Sequence, residues 1–525
     1  MERGTTRIVA IVVVAIVVVG GIGLWIWLNP ATYTWSAKDC PGVPEGTEIN
    51  PKYIVKIGVI GDIGERTGDG ALHGVMMAAE EINKAGGIKW GTNKTLYIGV
   101  CSADTNEAAL SSKTEDGTAA AERLVNFFKV DVVIGGFRTE RVLEYAPIIM
   151  QEEIPFISTG VALDLFCYDS ALWGAASVSK VIGAMQYEHN STTYANQSAN
   201  LPYLNFYRNM PTNIGNLVKQ VMMQVKWSLN GTGAPYGYGQ GLNITYVNVI
   251  REDHVWNLGG LALIENYMCT AMGFKRGKIE NVSMTATAID LETKMGAFWD
   301  NVTKTYNHSV TIPFISAGTA SAQMLKSYVN AKPASIIIGV DVPSQDLDYY
   351  TLTDGACAYE ICEMTMLAGV NKTSKSTAFW DAYVAKYSQI PTYTAIGSHD
   401  AVALVNYSLN TVKTLDAPTF RIAMQTINSA ATSVEVAGGW TYFQIATGVP
   451  TRYEAAQTYN THDLSLDFGS GSWTLPVGGS LGKMCNYAVF AQWNSTGNMV
   501  LVPSSQYAAG QFPVYQAFET PAWWS

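Results

Sequence analysis

Short apolar runs alternate with amphipathic stretches along most of the chain, and the pattern is clearest at residues 55–88. There Val55, Ile57, Val59 and Ile60 form a strand-like run that breaks into a glycine-rich loop at 61–70. A helical spacing follows, with Val75, Met76, Ala79 and Ile82 on one face and Glu80, Glu81 and Lys84 on another. Gly86-Gly87 stops that helix, because glycine accepts the left-handed turn at a helix end. Strand, loop and helix make an α/β unit, in which ligands sit beyond the carboxyl ends of the strands, near free helix N–H groups. A phosphate cradle is not predicted, since neither G-x-G-x-x-G nor G-K-[ST] follows the strand.

The rhythm then repeats. Strands are predicted at 96–100, 130–134, 155–158, 244–250, 310–315 and 336–340, and helices at 117–128, 141–152, 257–272 and around 324–329. Such alternation predicts a mostly parallel sheet with helices on both faces. Residues 163–200, rich in Ser, Ala and Asn, and 231–241 interrupt it as insertions.

Upstream of the α/β region the pattern changes. Residues 8–28 are 21 positions without a charge, long enough to cross a bilayer. Arg3 and Arg7 precede them and no basic residue follows before Lys38, which predicts a cytoplasmic N-terminus and an external body. The run ends LWIWLNP without a small-x-small cleavage site, so a retained transmembrane anchor is expected over a removed secretory peptide. Residues 30–52, with Pro30, Pro41, Pro44 and Pro51, read as a tether.

Composition narrows the function classes. Charged residues make up 14% of the chain, against a usual ~25%, and the net charge of −10 argues against a nucleic-acid partner. Asn-x-Ser/Thr sequons fall at Asn93, Asn190, Asn196, Asn230, Asn243, Asn281, Asn301, Asn307, Asn371, Asn406 and Asn494. Roughly five are expected by chance, so the excess favours a glycosylated, extracellular protein. The seven cysteines have no metal-ligand spacing, and for an exported chain one to three disulfides with one thiol left over are expected. None of the six histidines sits in HExxH or near G-x-S-x-G, and His399 beside Asp400 reads as packing. No enzyme activity, metal or cofactor is expected.

Gly61, Gly68, Gly74, Glu80-Glu81, Ile82-Asn83 and Ala85-Gly86-Gly87-Ile88 form an opening that resembles the type I periplasmic-binding fold. The likeness is to the branched-chain amino-acid binding proteins of ABC importers. Asn205 to Pro211 (NFYRNMP), Asp354-Gly355-Ala356 with Tyr359, Phe379-Trp380-Asp381-Ala382-Tyr383 with Lys386-Tyr387, and Tyr393-Thr394-Ala395-Ile396-Gly397 with Asp400-Ala401-Val402 extend it. Arg3-Gly4 ahead of the apolar run is similar to the prepilin-like leaders of some archaeal solute-binding proteins. The resemblance implies an α/β architecture of two doubly wound, mostly parallel sheets in two lobes joined by a three-strand hinge, behind the transmembrane helix. The expected division is an anchor at 1–29, a linker at 30–52, lobe 1 at 53–204 and 355–478, lobe 2 at 205–354 and 479–505, and an extension at 506–525.

By the same resemblance the ligand lies between the lobes. Thr139 falls near a carboxylate-binding Ser, and Ser158, Thr159 and Gly160 lie on the next strand-end loop, where Ala162 replaces a Thr. Thr67 and Thr319 stand where aromatic residues are usual, Trp256 at the position of a pocket Tyr, and Asp341 at the acid that pairs with a ligand ammonium. Read from the residues alone, Thr139, Ser158 and Thr159 also suit turns and caps, Trp256 lobe packing, and Asp341 a turn. Arg66, Arg138 and Arg141 follow strand-end loops, where an Arg can hold an anion or simply face solvent. The implied function is the cell-surface solute-binding component of an ABC importer, capturing an amino acid or similar small polar metabolite and handing it to permease subunits. The alternative is a glycosylated surface or filament protein reusing the fold, with self-association left open.

Overall fold

The computed structural model describes residues 32–91, 94–107, 114–163, 166–167, 205–210, 212–231, 240–283, 286–429, 431–447, 458–464, 487–502, 516 and 518–524. The expected anchor and most of the expected insertion at 163–200 lie outside them, and among the described residues no helix is long and apolar enough to cross a membrane.

In chain order the strands of the first half are β1 (Ile54–Gly61), β2 (Ile88–Trp90), β3 (Lys94–Asp104), β4 (Val132–Gly135), β5 (Phe156–Ser158) and β6 (Phe206–Arg208). They are followed by β7 (Tyr246–Glu252), β8 (Lys275–Val282), β9 (Ser309–Ile315), β10 (Ser335–Asp341) and β11 (Ile361–Met364). A short hairpin, β12 (Val434–Glu435) and β13 (Trp440–Thr441), precedes β14 (Phe443–Thr447), β15 (Thr458–Leu464), β16 (Val489–Trp493) and β17 (Met499–Leu501). One sheet runs β14-β15-β6-β5-β4-β1-β3-β2 and the other β17-β16-β11-β10-β9-β7-β8. Each is parallel at its centre and antiparallel at an edge. The result is two α/β lobes. The chain leaves the first sheet after β6, the second after β11, and the first again after β15.

The helices follow the apolar pattern. They are α1 (Arg66–Lys84), α2 (Thr114–Glu122), α3 (Thr139–Gln151), α4 (Ile214–Met223), α5 (Leu258–Leu263), α6 (Ala288–Thr305) and α7 (Gly318–Ala331). The short α8 (Tyr349–Leu352), then α9 (Ser376–Tyr387), α10 (Tyr393–Val412) and α11 (Ala417–Thr426), complete the set. Wide π turns extend α2 and α5 over Arg123–Phe128 and Ile264–Ala271, where single helices were expected.

Lobe 1 is organised by α1 against α10. Val75 and Ala79 meet Ala401, Val402 and Val405 in one buried cluster with β1. Gly74 permits the approach: a Cβ there would lie 2.1 Å from the Ala395 carbonyl oxygen. His399 on α10 is tied to Glu81 on α1 at 3.3 Å and to its neighbour Asp400 at 3.4 Å. Burial pushes the imidazole down, but the Asp400 and Glu81 carboxylates outweigh it and raise its pKa to about 9. Asp400 in turn accepts the Ala437 and Gly438 backbone N–H groups, each at 2.9 Å. Both residues are therefore taken up by packing.

At the first crossing, fully buried Arg208 on β6 donates through Nε to Asp463 on β15 at 2.6 Å and through Nη1 to the Leu163 carbonyl at 2.7 Å. Asn213, which caps α4, donates to the other Asp463 oxygen at 2.7 Å. A buried ion pair supplied with these extra hydrogen bonds fixes geometry more than it adds stability. Lys372 joins the other two crossings, donating to the Thr365 and Tyr487 carbonyls, and burial lowers its pKa to about 7.

The expected disulfides are not formed among Cys40, Cys101, Cys269, Cys357 and Cys362, which are free thiols. Cys357 and Cys362 pack into different apolar clusters despite their closeness in sequence. Burial pushes the Cys40, Cys101 and Cys357 thiols up to about 12, which leaves them unreactive.

Gly74→Ala places a methyl group into backbone that cannot retreat. It is expected to cost about 1–3 kcal/mol, read as a lower urea midpoint; an unchanged midpoint would mean that α1 and α10 can separate freely.

Candidate functional site

Parallel strands deliver their carboxyl ends to one edge of each sheet, and in this molecule the two edges face each other. The loops after β4 and β5 touch so closely that a Cβ on Gly160 would lie 1.9 Å from the Gly136 carbonyl oxygen. That contact sets Phe137, Arg138, Thr139 and Gly160 on the lobe 1 side of a cleft. Lobe 2 supplies His254 and Trp256 after β7, Ser316 after β9, and Val340 and Val342 at the end of β10. Gln220 on α4, Glu363 on β11, and Met210 and Thr365 at the crossings complete the wall. The space between these walls, its open mouth included, measures about 810 Å³.

The wall is mostly apolar, so its few unsatisfied polar atoms carry information. They are Arg138 Nε, Thr139 Oγ1, the His254 ring nitrogens and Glu363 Oε2, all buried and without a hydrogen bond among the described residues. Arg138 is held by its backbone N–H, which donates to Glu107 Oε2 at 2.6 Å. Thr105 donates to the other Glu107 oxygen at 2.8 Å. Burial raises Glu107 to about 7 in spite of both bonds.

Two ion pairs span the cleft. His254 Nδ1 lies 3.2 Å from Glu140 Oε1 on α3, an ion-pair distance without hydrogen-bond geometry. Burial pushes the imidazole down, yet Glu140 and then Glu252 raise it by more, so its pKa sits above the ordinary histidine value. Glu252 is itself held by the Ser316 hydroxyl at 2.5 Å and the Ala317 N–H at 2.7 Å. Nearer solvent, Arg66 Nε lies 3.2 Å from Asp346 Oδ2, a contact worth at most about 1 kcal/mol.

The residues singled out from sequence separate into groups. Thr139, Gly160 and Trp256 stand on the cavity wall. Thr67 is buried where its carbonyl accepts the Thr394 hydroxyl at 2.7 Å, in the α1–α10 contact. Ser158 is buried at the end of β5, and the Thr159 hydroxyl is paired with Ser398 at 2.9 Å. Asp341 turns into lobe 2, where its carboxylate accepts from Ser321 and from Tyr349 at 3.2 Å and interacts with Glu360. Burial raises Asp341 to about 6. Thr319, in the first turn of α7, is exposed and off the wall. The cleft instead draws on Arg138, His254, Gln220 and Glu363.

Of the sequons, Asn93, Asn190 and Asn196 lie outside the described residues. Asn243, Asn281, Asn301, Asn307 and Asn371 are exposed, and Asn406 is half-buried. Asn230 is engaged on both faces of its amide by the Ile244 backbone. Asn494 is buried and accepts the Asn498 N–H at 2.8 Å.

Residues 54–200 match the family model described as periplasmic binding protein. No curated protein matches. Among solved structures, the chain is similar to the branched-chain amino acid transporter substrate binding protein of Streptococcus pneumoniae in complex with isoleucine. There the TM-score is 0.56 at 15% identity, over 85% of this chain and 97% of that one. A leucine binding protein of Thermotoga maritima gives 0.56 at 13%, over 85% and 97%. An ABC transporter solute binding protein of R. palustris in complex with benzoate gives 0.56 at 12%, over 87% and 99%. At these identities the likeness establishes the fold: this chain has the two-lobed periplasmic-binding architecture.

The Glu140–His254 pair is expected to make the hold between the lobes pH-dependent. Because the histidine is raised in the closed form, its contribution is complete below about pH 6.5 and is lost as pH rises through the raised value. Small-angle scattering is expected to show a larger radius of gyration at pH 9 than at pH 6, with the difference abolished in His254→Gln. Equal radii at both pH values would show that the pair does not hold the lobes.

Proposed function

We propose that this chain is the extracellular solute-binding component of an ABC importer and that it captures a small carboxylate between its lobes. The observation that carries this reading is the pair of buried, unpartnered donors, Arg138 Nε and Thr139 Oγ1, on the wall of a mostly apolar inter-lobe cavity. A buried donor without an acceptor costs about 1–3 kcal/mol, and a ligand carboxylate removes that cost while its apolar part covers Trp256, Met210 and Val340. Two proteins of similar fold were solved with isoleucine and with benzoate, molecules that both carry a carboxylate. The chain binds and releases, and the chemistry that drives transport belongs to permease and ATPase subunits. Selectivity comes from the free-energy difference between open and closed lobes with solute bound.

A thermal-shift panel of amino acids, aromatic acids and short aliphatic acids on the full chain is expected to raise Tm with carboxylates and not with the matching amides. Arg138→Ala should weaken the best ligand by about 10- to 100-fold, the equivalent of a charge-assisted hydrogen bond. A panel without any Tm increase, or an Arg138→Ala protein that binds normally, would refute the reading.

A further inference from the structure

One polar group on the wall, Glu363, is not explained by a carboxylate grip. Glu363, one of four buried residues on β11, is 5% exposed and stands on the cavity wall. Its surroundings fix the orientation of its neighbour. The Ala488 N–H donates to Gln220 Oε1 at 2.6 Å, so the amide nitrogen must face Glu363, and it donates to Oε1 at 2.9 Å. One Glu363 oxygen is thereby committed as an acceptor. The other, Oε2, has no hydrogen bond among the described residues. Among the described residues Glu363 makes no ion pair, and the hydrogen bond to its carboxyl comes from the neutral Gln220 amide.

A lone buried carboxyl without a cation keeps its proton, because removing an isolated negative charge from water costs more than protonation does. Burial accordingly lifts Glu363 well above the usual carboxylate range. With Oε1 accepting from Gln220, the proton resides on Oε2, and a neutral acid then offers a donor to the cavity. Asp341, the acid expected to meet a ligand ammonium, is turned into lobe 2 and occupied by Ser321 and Tyr349. Arg138 Nε and a protonated Glu363 Oε2 are then both free donors on the wall, beside the Thr139 hydroxyl, which can donate or accept.

We propose that Glu363 determines which solutes the cleft accepts, by donating a hydrogen bond from Oε2 to an uncharged oxygen of the ligand. This proposal rests on the solute-binding reading above and narrows it. The class selected is apolar carboxylates with a carbonyl or hydroxyl oxygen, such as 2-oxo acids, in preference to the amino acids of the same skeleton. An ammonium would find no acceptor at Glu363 Oε2 unless it expelled the Glu363 proton. A site built to satisfy one hydrogen-bonding group rejects the analogue that leaves buried groups unpaired.

The test is calorimetry on the full chain with two probe pairs, 4-methyl-2-oxopentanoate against leucine and phenylpyruvate against phenylalanine. The oxo acid of at least one pair is expected to bind about tenfold or more tightly than its amino partner, a difference of about 1.4 kcal/mol. Glu363→Gln keeps a donor at the same place and should hold oxo-acid affinity within about threefold, whereas Glu363→Ala should lose about tenfold. If leucine or phenylalanine binds better and Glu363→Gln abolishes that binding, Glu363 is an ionised counter-ion; the proposal falls while the solute-binding reading stands. If no member of these pairs and no carboxylate in the wider panel binds, both fall. Should the variants unfold, the wild-type protein decides: titrations in two buffers of different ionisation enthalpy should show no proton release with the oxo acid. Release of about one proton per ligand would overturn the assignment.

Discussion

Parallel strand pairing is the constraint on which the molecule depends. A parallel strand can be followed only by a crossover, so every central strand of a sheet releases its loop at the same edge. In lobe 1 this places the ends of β1, β4 and β5 side by side, and in lobe 2 those of β7, β9 and β10. The Arg208–Asp463 pair and the Lys372 bridge at the crossings then hold the two edges face to face. The cleft is the product of sheet topology and hinge geometry, and the side chains on its wall need only be few and well held.

Those few groups are held by neighbours that do not touch the cavity. Arg138 is fixed through its backbone by Glu107, and Glu363 by a Gln220 that the Ala488 backbone orients. Glu140 and His254 add a cross-cleft attraction whose strength varies with pH. The wall sets these few polar groups into a mostly apolar lining. Such a site gains affinity from excluded water and selectivity from the cost of leaving a buried donor unsatisfied.

Much of this was legible in the chain. The run Val55, Ile57, Val59, Ile60 and its glycine loop became β1 and the turn into α1, and Gly86 and Gly87 end that helix at positive φ. The FWDAY and YTAIGSHDAV segments became α9 and α10. Periodicity and stop signals are local, so a sequence carries them openly. The wall of the cleft was harder to see, because it is assembled from loops distant in the chain whose relative rotation no local pattern records. Asp341 ends an apolar strand just as a ligand acid would, but the side chain turns inward because Ser321 and Tyr349 satisfy it there. Thr319, in the first turn of α7, is exposed and stands off the wall. Arg138 was one of three strand-end arginines that could hold an anion or face solvent, and nothing local in the sequence singled it out as the one on the cavity wall. Glu363 did leave a trace: a lone acid in the apolar run ICEM, which is the mark of a buried carboxyl with a task.

The central claim is that one small molecule is held by both lobes at once. Hydrogen–deuterium exchange on the full chain, with and without saturating 4-methyl-2-oxopentanoate or benzoate, tests it directly. Peptides covering residues 137–142 of lobe 1 and 254–257 of lobe 2 should gain protection together on addition of whichever acid binds. Protection confined to one lobe, or none at either, would contradict a ligand gripped between them.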